Sequence, residues 1–338
     1  MNDERSRFEP NRKKGSLLKR IILLTLFSGL GLLGLIYGPR VYDSVLASQF
    51  SPAPEVRSVK ERLDLTQRGS DLLLASQTKI EPKDQFNANC ESTERTAAIL
   101  GCYYMRKIHL YQVNNPDLDG AVEVTAAHEI LHAAYERLNF LERKQVDSLI
   151  EDEYVTLRKN PVIAEEMAYY RKAEPGAELN ELHSIIGTTI KDISPALEKY
   201  YSQYFNDRAA IVSLNEKYNA VFSRINEQAN LLQAEIDTLK PQVQSSLASY
   251  ELERKQLEQD VQSFNERADS GGFGSQFEFT VARNTISARV AAMNVRMEQV
   301  NQLVATYNAK IEQLNSLSVK ASEYNESING AEASPGVS

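Results

Sequence analysis

The stretch Thr125-Ala-Ala-His-Glu-Ile-Leu-His-Ala-Ala-Tyr135 governs how the whole chain is interpreted. It contains the pattern HExxH, formed by His128, Glu129 and His132, among alanine and leucine residues that favour a helix. On a helix, positions i and i+4 lie on one face, so both imidazoles can point at one metal ion. Glu129 lies where a carboxylate can take a proton from a water molecule at that ion. A buried helix with two hydrogen-bonded histidines would have the same pattern, but the spacing favours a zinc site.

The composition of the chain is that of an ordinary folded protein. Its 338 residues are enough for about two domains. Hydrophobic residues make up 42% and charged residues 25% of the sequence, which is ordinary for a folded protein. The net charge of -8 argues against a general nucleic-acid binder.

The N-terminal segment combines a basic stretch with an apolar run. Residues 1–20 carry more lysine and arginine than acidic side chains, and residues 21–37 hold no charge. This run is just long enough to cross a thin bilayer, and its cationic flank predicts that the N-terminus stays in the cytoplasm. We therefore predict a transmembrane signal anchor at 21–38, a linker at 39–54, and an extracytoplasmic location for everything that follows. A cleaved signal peptide is the alternative.

Cys90 and Cys102 are the two cysteines of the chain. Their spacing is too wide for a CxxC motif, and no second pair exists, which argues against a cysteine metal site. In an oxidising compartment two cysteines this close usually pair. We predict a Cys90–Cys102 disulfide, worth about 3 kcal/mol in the chain-entropy model.

Residues 55–205 have the pattern of a mainly helical domain with one short strand region. The strand is predicted at 107–113, where β-branched and aromatic residues alternate, and the turn cluster 114–120 leads into the HExxH helix at 121–139. The remaining predictions are two helices within 55–76 broken near Gly69, an irregular segment at 78–89, and helices at 141–158, 161–173 and 178–187.

From residue 206 onward, apolar residues recur at the three-and-four spacing that is typical of a coiled coil. The pattern occurs in two runs separated by the glycine-rich stretch 268–275. We predict an antiparallel coiled-coil hairpin at 206–327 and a disordered tail at 328–338. The fold class is therefore mainly α, with a small α+β domain before the long hairpin.

A catalytic zinc site needs a third protein ligand and keeps one position open for water. The long motif of the metzincins places glycine and histidine where this chain has Tyr135 and Leu138, so that class is excluded. The third ligand is then expected to be an acid from elsewhere in the chain. Glu178 and Glu181 lie three residues apart on one predicted helix, and this spacing leaves both as candidates.

The segment Asn180-Glu-Leu-His-Ser-Ile185 resembles the second motif of the gluzincin metallopeptidases, NExxSD, at its first, second and fifth positions. The resemblance covers about residues 100–190. It implies a zincin-like fold, zinc as the cofactor, hydrolysis of peptide bonds, and Glu181 as the third zinc ligand. The chain departs from the family at Ile185, where the family has an acid that orients a zinc-bound histidine.

Two further expectations concern the surroundings of the zinc site. His183 is a candidate catalytic residue that could stabilise an oxyanion or hold Glu129, with a packing role as the alternative. The acid that is missing from the second motif could be supplied by Glu165 or Glu166 on another helix.

Two functions from different classes remain. The first is a membrane-anchored zinc metallopeptidase that cleaves a peptide or protein outside the cytoplasm, with Glu129 as the general base. The layout also resembles that of bacterial membrane-anchored proteins. The second is an envelope scaffolding protein that binds a partner, or itself, through the coiled coil and carries a structural or degenerate zinc site. The intact Glu129 favours the first, because a structural site needs no general base.

Overall fold

The structure is a computed structural model that describes residues 14–90, 100–173 and 175–328. It is predominantly helical, with one small sheet, as the pattern predicted. Its contacts divide the described residues into two compact units. One unit comprises the chain up to Tyr218 together with Ser327 and Ile328, and the other comprises Asn219–Glu326.

The elements follow one another along the chain in a helix-rich order. They are α1 (Lys14–Gln49), α2 (Pro54–Arg62), α3 (Gln67–Ala75), β1 (Lys79–Glu81), α4 (Lys83–Asn89), β2 (Gly101–Tyr104), β3 (Lys107–Tyr111), a 3-10 turn (Pro116–Leu118), α5 (Ala121–Glu136), α6 (Phe140–Leu157), α7 (Pro161–Ala173), α8 (Glu178–Thr189), α9 (Pro195–Tyr201), α10 (Arg208–Asp269) and α11 (Gln276–Ile328).

Helix α1 contains the segment predicted as an anchor and extends beyond it. The segment 39–54, expected to be a linker, is helical as far as Gln49. The C-terminal part of α1 contacts the end of α5, because buried Asp43 accepts a hydrogen bond of 2.9 Å from Nε of Arg137, the residue that follows α5. Among the described residues, no helix has the length and apolar character needed to cross a membrane. The side chains of residues 14–18, 21 and 28–37 and the whole of 1–13 lie outside the described residues, so the anchor and the basic tail stay predictions.

Two helices lie within 55–76, as predicted, but the break between them is not at Gly69. Thr66 ends the connection and caps α3, since its side chain accepts a hydrogen bond from the backbone N–H of Gly69. Gly69 lies inside α3, where a Cβ would come within 2.2 Å of the carbonyl oxygen of Tyr204. The glycine therefore permits a close approach of two backbones rather than ending a helix.

The sheet has the strand order β1-β3-β2, with β1 parallel and β2 antiparallel to β3. The predicted strand at 107–113 is confirmed by β3. The prediction that 78–89 is irregular is wrong, because this segment forms β1 and α4, and β2 was not predicted at all. Strands of three and four residues carry too little periodicity to be recognised locally, and their backbone groups are satisfied only by pairing with β3.

Cys90 and Cys102 form the disulfide-capable pair that was predicted. Cys90 lies at the end of α4 and Cys102 in β2, and their sulfur atoms are 2.03 Å apart. Cys102 is also the cross-strand partner of His109. The pair therefore links α4 to the strand at one edge of the sheet.

The core of the first unit forms where α5 packs against α8. Ala127, Ile130 and Leu131 of α5 have no measurable exposure. At Gly187 of α8, a Cβ would lie 2.3 Å from Cδ1 of Leu131 and 2.9 Å from Cε1 of Tyr201. The absence of a side chain at this position lets the two helices approach closely, and this approach sets the relative position of the residues that they carry.

The second unit is an antiparallel hairpin of α10 and α11, as the heptad pattern predicted. The arms meet through an ion pair of 2.6 Å between Lys310 and Glu235, and the aromatic rings of Phe264 and Phe279 lie 5.5 Å apart beside the turn. Helix α10 ends at Asp269 and α11 begins at Gln276, so the reversal occupies 270–275, within the predicted glycine-rich stretch 268–275. The tail expected at 328–338 lies, from residue 329, outside the described residues.

Candidate metal centre

The HExxH pattern lies on α5, as predicted, and places His128 and His132 one helical turn apart. Their ring centroids are 4.7 Å apart. Glu181 reaches them from the first turn of α8, with carboxylate oxygens 3.8 Å from Nε2 of His128 and 3.6 Å from Nε2 of His132. One ligand atom from each of the three residues lies within 4.8 Å of the others, which is close enough to hold one metal ion.

The burial of these groups supports a metal site. His132 is 4% and Glu181 2% exposed. Nε2 of His132 and Oε2 of Glu181 have no hydrogen-bond partner among the described residues. An unsatisfied buried polar atom costs about 1–3 kcal/mol, so two of them in one cluster need an explanation. Two imidazoles and a carboxylate are a common donor set for a divalent transition metal, and the residues therefore fit such an ion.

The electrostatics keep the ligands in the protonation states that bind a metal. Burial, together with the neighbouring His128, lowers the pKa of His132 to about 4, although Glu181 opposes the shift. Burial alone would raise the pKa of Glu181, but the two histidines and a hydrogen bond from Tyr170 outweigh it and lower that pKa. At neutral pH the His132 imidazole is therefore neutral and the Glu181 carboxylate is charged.

Glu129, the candidate general base, is 2% exposed and lies under the edge strand β2. A Cβ at Gly101 of this strand would lie 2.9 Å from Oε1 of Glu129 and 2.5 Å from Cγ2 of Thr125. The backbone of β2 therefore passes directly over the carboxylate, and only glycine fits there. Gly101 was not among the predicted site residues, because β2, with four residues, is too short to show a recognisable pattern.

Glu178, the competing third ligand, occupies a different environment. Its Oε2 accepts a solvent-exposed hydrogen bond of 2.8 Å from the backbone N–H of Gly176, which precedes α8. The structure thus brings Glu181, and not Glu178, to the two histidines. Glu166 of α7 is electrostatically coupled to the cluster: burial raises its pKa, the charge of Glu181 adds to the rise, and His128 opposes it.

His183 is buried behind the cluster rather than open to a cleft. Its Nε2 lies 3.0 Å from the hydroxyl oxygen of Tyr200, and its ring packs against Tyr135 and Tyr201 at centroid distances of 5.3 and 5.5 Å. Burial lowers the pKa of His183 well below its usual value, with further lowering from the histidines of the cluster. These contacts are those of a neutral histidine in an aromatic core, which agrees with the packing alternative.

Fold and site together define a mainly helical chain with a buried cluster of two histidines and one glutamate that can hold a metal ion. In comparisons with known proteins, no family, curated protein or solved structure matches this chain.

Proposed function

We propose that this chain is a zinc metalloendopeptidase of the gluzincin type, held at the cell membrane by its N-terminal segment and hydrolysing peptide bonds outside the cytoplasm. The observation that carries the proposal is the convergence of His128, His132 and Glu181 from two helices onto one point. A buried glutamate directly after the first histidine adds the acid–base group that peptide hydrolysis needs.

The residues of the centre have separable roles in this mechanism. His128, His132 and Glu181 would hold the ion. Zinc bound there would polarise a scissile carbonyl group and lower the pKa of a water molecule. Glu129 accepts the proton of the attacking water and then donates it to the departing amine. Because Glu129 is buried under β2, bulk water has little access to this proton.

The open edge of the sheet supports the proposal that the substrate is a peptide. Strand β2 lies at the edge of the described sheet, and its first residue, Gly101, contacts the side chain of Glu129. An extended peptide can add to such an edge through backbone hydrogen bonds. A substrate bound in this way would pass beside the general base in an extended conformation.

Exchanging Glu129 for glutamine tests the proposal. The purified wild-type chain should contain one zinc ion and cleave unstructured peptides. Glu129→Gln should keep its zinc and lose at least about 100-fold in rate, because only the proton acceptor is removed. Glu136→Gln, an exposed residue on the same helix, is the matched control and should stay active. A wild-type chain that contains no zinc after purification under conditions that retain metal would contradict the proposal.

A scaffolding function is the second candidate, and the length of the hairpin favours it. Helices α10 and α11 contain 62 and 53 residues, far more than a catalytic centre of this size needs. In this case the coiled coil binds a partner and the metal is structural. Cells that carry Glu129→Gln then behave as wild type, whereas an enzyme would leave them defective.

A further inference from the structure

The first turn of α6 carries two large apolar side chains on the protein surface. Phe140 is 80% and Leu141 70% exposed. The turn is well ordered, because the side chain of Asn139 accepts hydrogen bonds from the backbone N–H groups of Leu141 and Glu142, and the Glu142 carboxylate accepts one from the backbone of Asn139. Lys144, which is also exposed, lies one turn after Phe140 on the same face. The surface is therefore apolar with a cation beside it.

This turn lies beside α1, just past the apolar run 21–37. Glu142 forms an ion pair of 3.0 Å with Arg40 of α1. Pro39 and Asn139 line one cavity of 330 Å³ between the two segments. Arg40 is three residues beyond the end of the run, which is about 4.5 Å along a helix axis. The exposed apolar pair is thus held close to the level at which the run ends.

A second contact shows the direction of the chain as it enters α6. Arg137, which follows α5, pairs with Asp43 of α1 at 2.8 Å. Along α1, Asp43 lies one turn farther from the apolar run than Arg40, the partner of Glu142. The chain therefore moves toward the run between Arg137 and Glu142, and the apolar pair lies in this segment.

Helix α1 is also apolar and exposed at this level. Val41 is 62% and Tyr42 57% exposed, and both point away from the face of α1 that carries the buried residues Asp43 and Ala47. Tyrosine is enriched where a membrane meets water. Exposed apolar side chains thus occur on both sides of α1 where its apolar run ends, and this composition is typical of a surface in the headgroup region of a bilayer.

We propose that the first turn of α6 inserts into the headgroup region of the phospholipid bilayer that holds α1, so that the first unit rests on the membrane surface. This inference rests on the membrane attachment in the proposed function, and it adds a contact far from the anchor in sequence. Burial of Phe140 and Leu141 among lipids supplies the attraction. The ion pair between Arg40 and Glu142 favours lipid as the occupant, because it holds the apolar pair beside the run that enters the membrane.

Tryptophan fluorescence tests this contact, because the wild-type chain contains no tryptophan. The full-length variants Phe140→Trp, Leu26→Trp and Val155→Trp are reconstituted separately into vesicles of phosphatidylcholine and phosphatidylglycerol, with or without bromine on the acyl chains. Bromine quenches a tryptophan that contacts the lipid. Leu26→Trp lies in the apolar run and reports the anchor. Val155→Trp is the matched control, because Val155 is 52% exposed and lies about 22 Å farther along α6.

Brominated vesicles should remove most of the emission of Leu26→Trp and Phe140→Trp and leave Val155→Trp as bright as in unbrominated vesicles. Quenching of Leu26→Trp without quenching of Phe140→Trp would overturn this inference and leave the anchor intact. Equal quenching of Phe140→Trp and Val155→Trp would also overturn it, because the contact would not be confined to the first turn of α6. If Leu26→Trp stays bright, the membrane attachment itself fails, and this inference fails with it.

Discussion

Glu178 and Glu181 lie one helical turn apart, and this turn decides which carboxylate reaches the histidines. Glu181 is buried within 3.8 Å of both imidazoles, whereas Glu178 receives a backbone hydrogen bond at the exposed start of α8. Glu181→Ala should yield metal-free protein, because losing a charged ligand lowers metal affinity by orders of magnitude. Glu178→Ala is the matched control and should keep its metal. Elemental analysis of the purified variants measures both, and the reverse pattern would make Glu178 the ligand.

The burial of His132 predicts how the stability of the metal-free protein depends on pH. Its pKa falls from 6.5 to about 4 on folding, so the unfolded chain binds the proton more tightly. The stability that this group contributes is fully present above about pH 6.5 and is lost as the pH falls toward 4. The loss should be at most about 1.4 kcal/mol per pH unit.

Urea unfolding of the metal-free protein between pH 7.5 and pH 4.5 measures this dependence. The buried His183, whose pKa is also lowered, adds to it in the same direction. His132→Gln removes one titrating group and should give a shallower dependence. Stability that stays constant or rises as the pH falls through this window would contradict the prediction.

At the scale of elements, the close packing of α5 and α8 places the third ligand beside the histidines. A Cβ at Gly187 would lie 2.3 Å from Cδ1 of Leu131 and 2.9 Å from Cε1 of Tyr201, so alanine there must displace these buried side chains or push the two helices apart. Gly187→Ala should lower the free energy of unfolding by about 1–3 kcal/mol, as overpacking in a core does. If the strain moves α8, the helix that carries Glu181, the substitution should also weaken metal binding.

Gly38→Ala is the control for this substitution. Gly38 lies in α1, and a Cβ at this position would have no neighbouring group within 4 Å, so alanine there should leave metal binding unchanged. Thermal unfolding and a metal titration of both variants give the two readouts. If Gly187→Ala matches Gly38→Ala in both, the distance between α5 and α8 does not control the centre.

At the scale of the whole molecule, the hairpin has its own buried apolar residues and forms a separate compact unit. Val243, Leu257 and Val300 are at most 9% exposed within it. A fragment of residues 206–327 should therefore be strongly helical by circular dichroism. Limited proteolysis of the full chain should cut first within 270–275, where neither helix continues. A disordered spectrum would show that the arms need the first unit.

Local periodicity was sufficient for much of this molecule. The spacing of His128 and His132 predicted two ligands on one helical face, and the heptads predicted both arms of the hairpin. Both features depend on contacts between residues three or four positions apart, which the sequence displays directly. The disulfide-capable pair followed from the proximity of the two cysteines.

Other features depended on contacts between segments that are distant in sequence. Strands β1 and β2 form because each pairs with β3, which lies between them. Position 69 of α3 requires glycine because the backbone at Tyr204 approaches it closely. Spacing alone did not distinguish Glu178 from Glu181 as the third ligand. The packing of α8 on α5 places Glu181 at the histidines. The sequence by itself thus determined the helices and the chemical groups that they carry. The tertiary structure decided which groups meet, because that depends on packing between residues far apart in the chain.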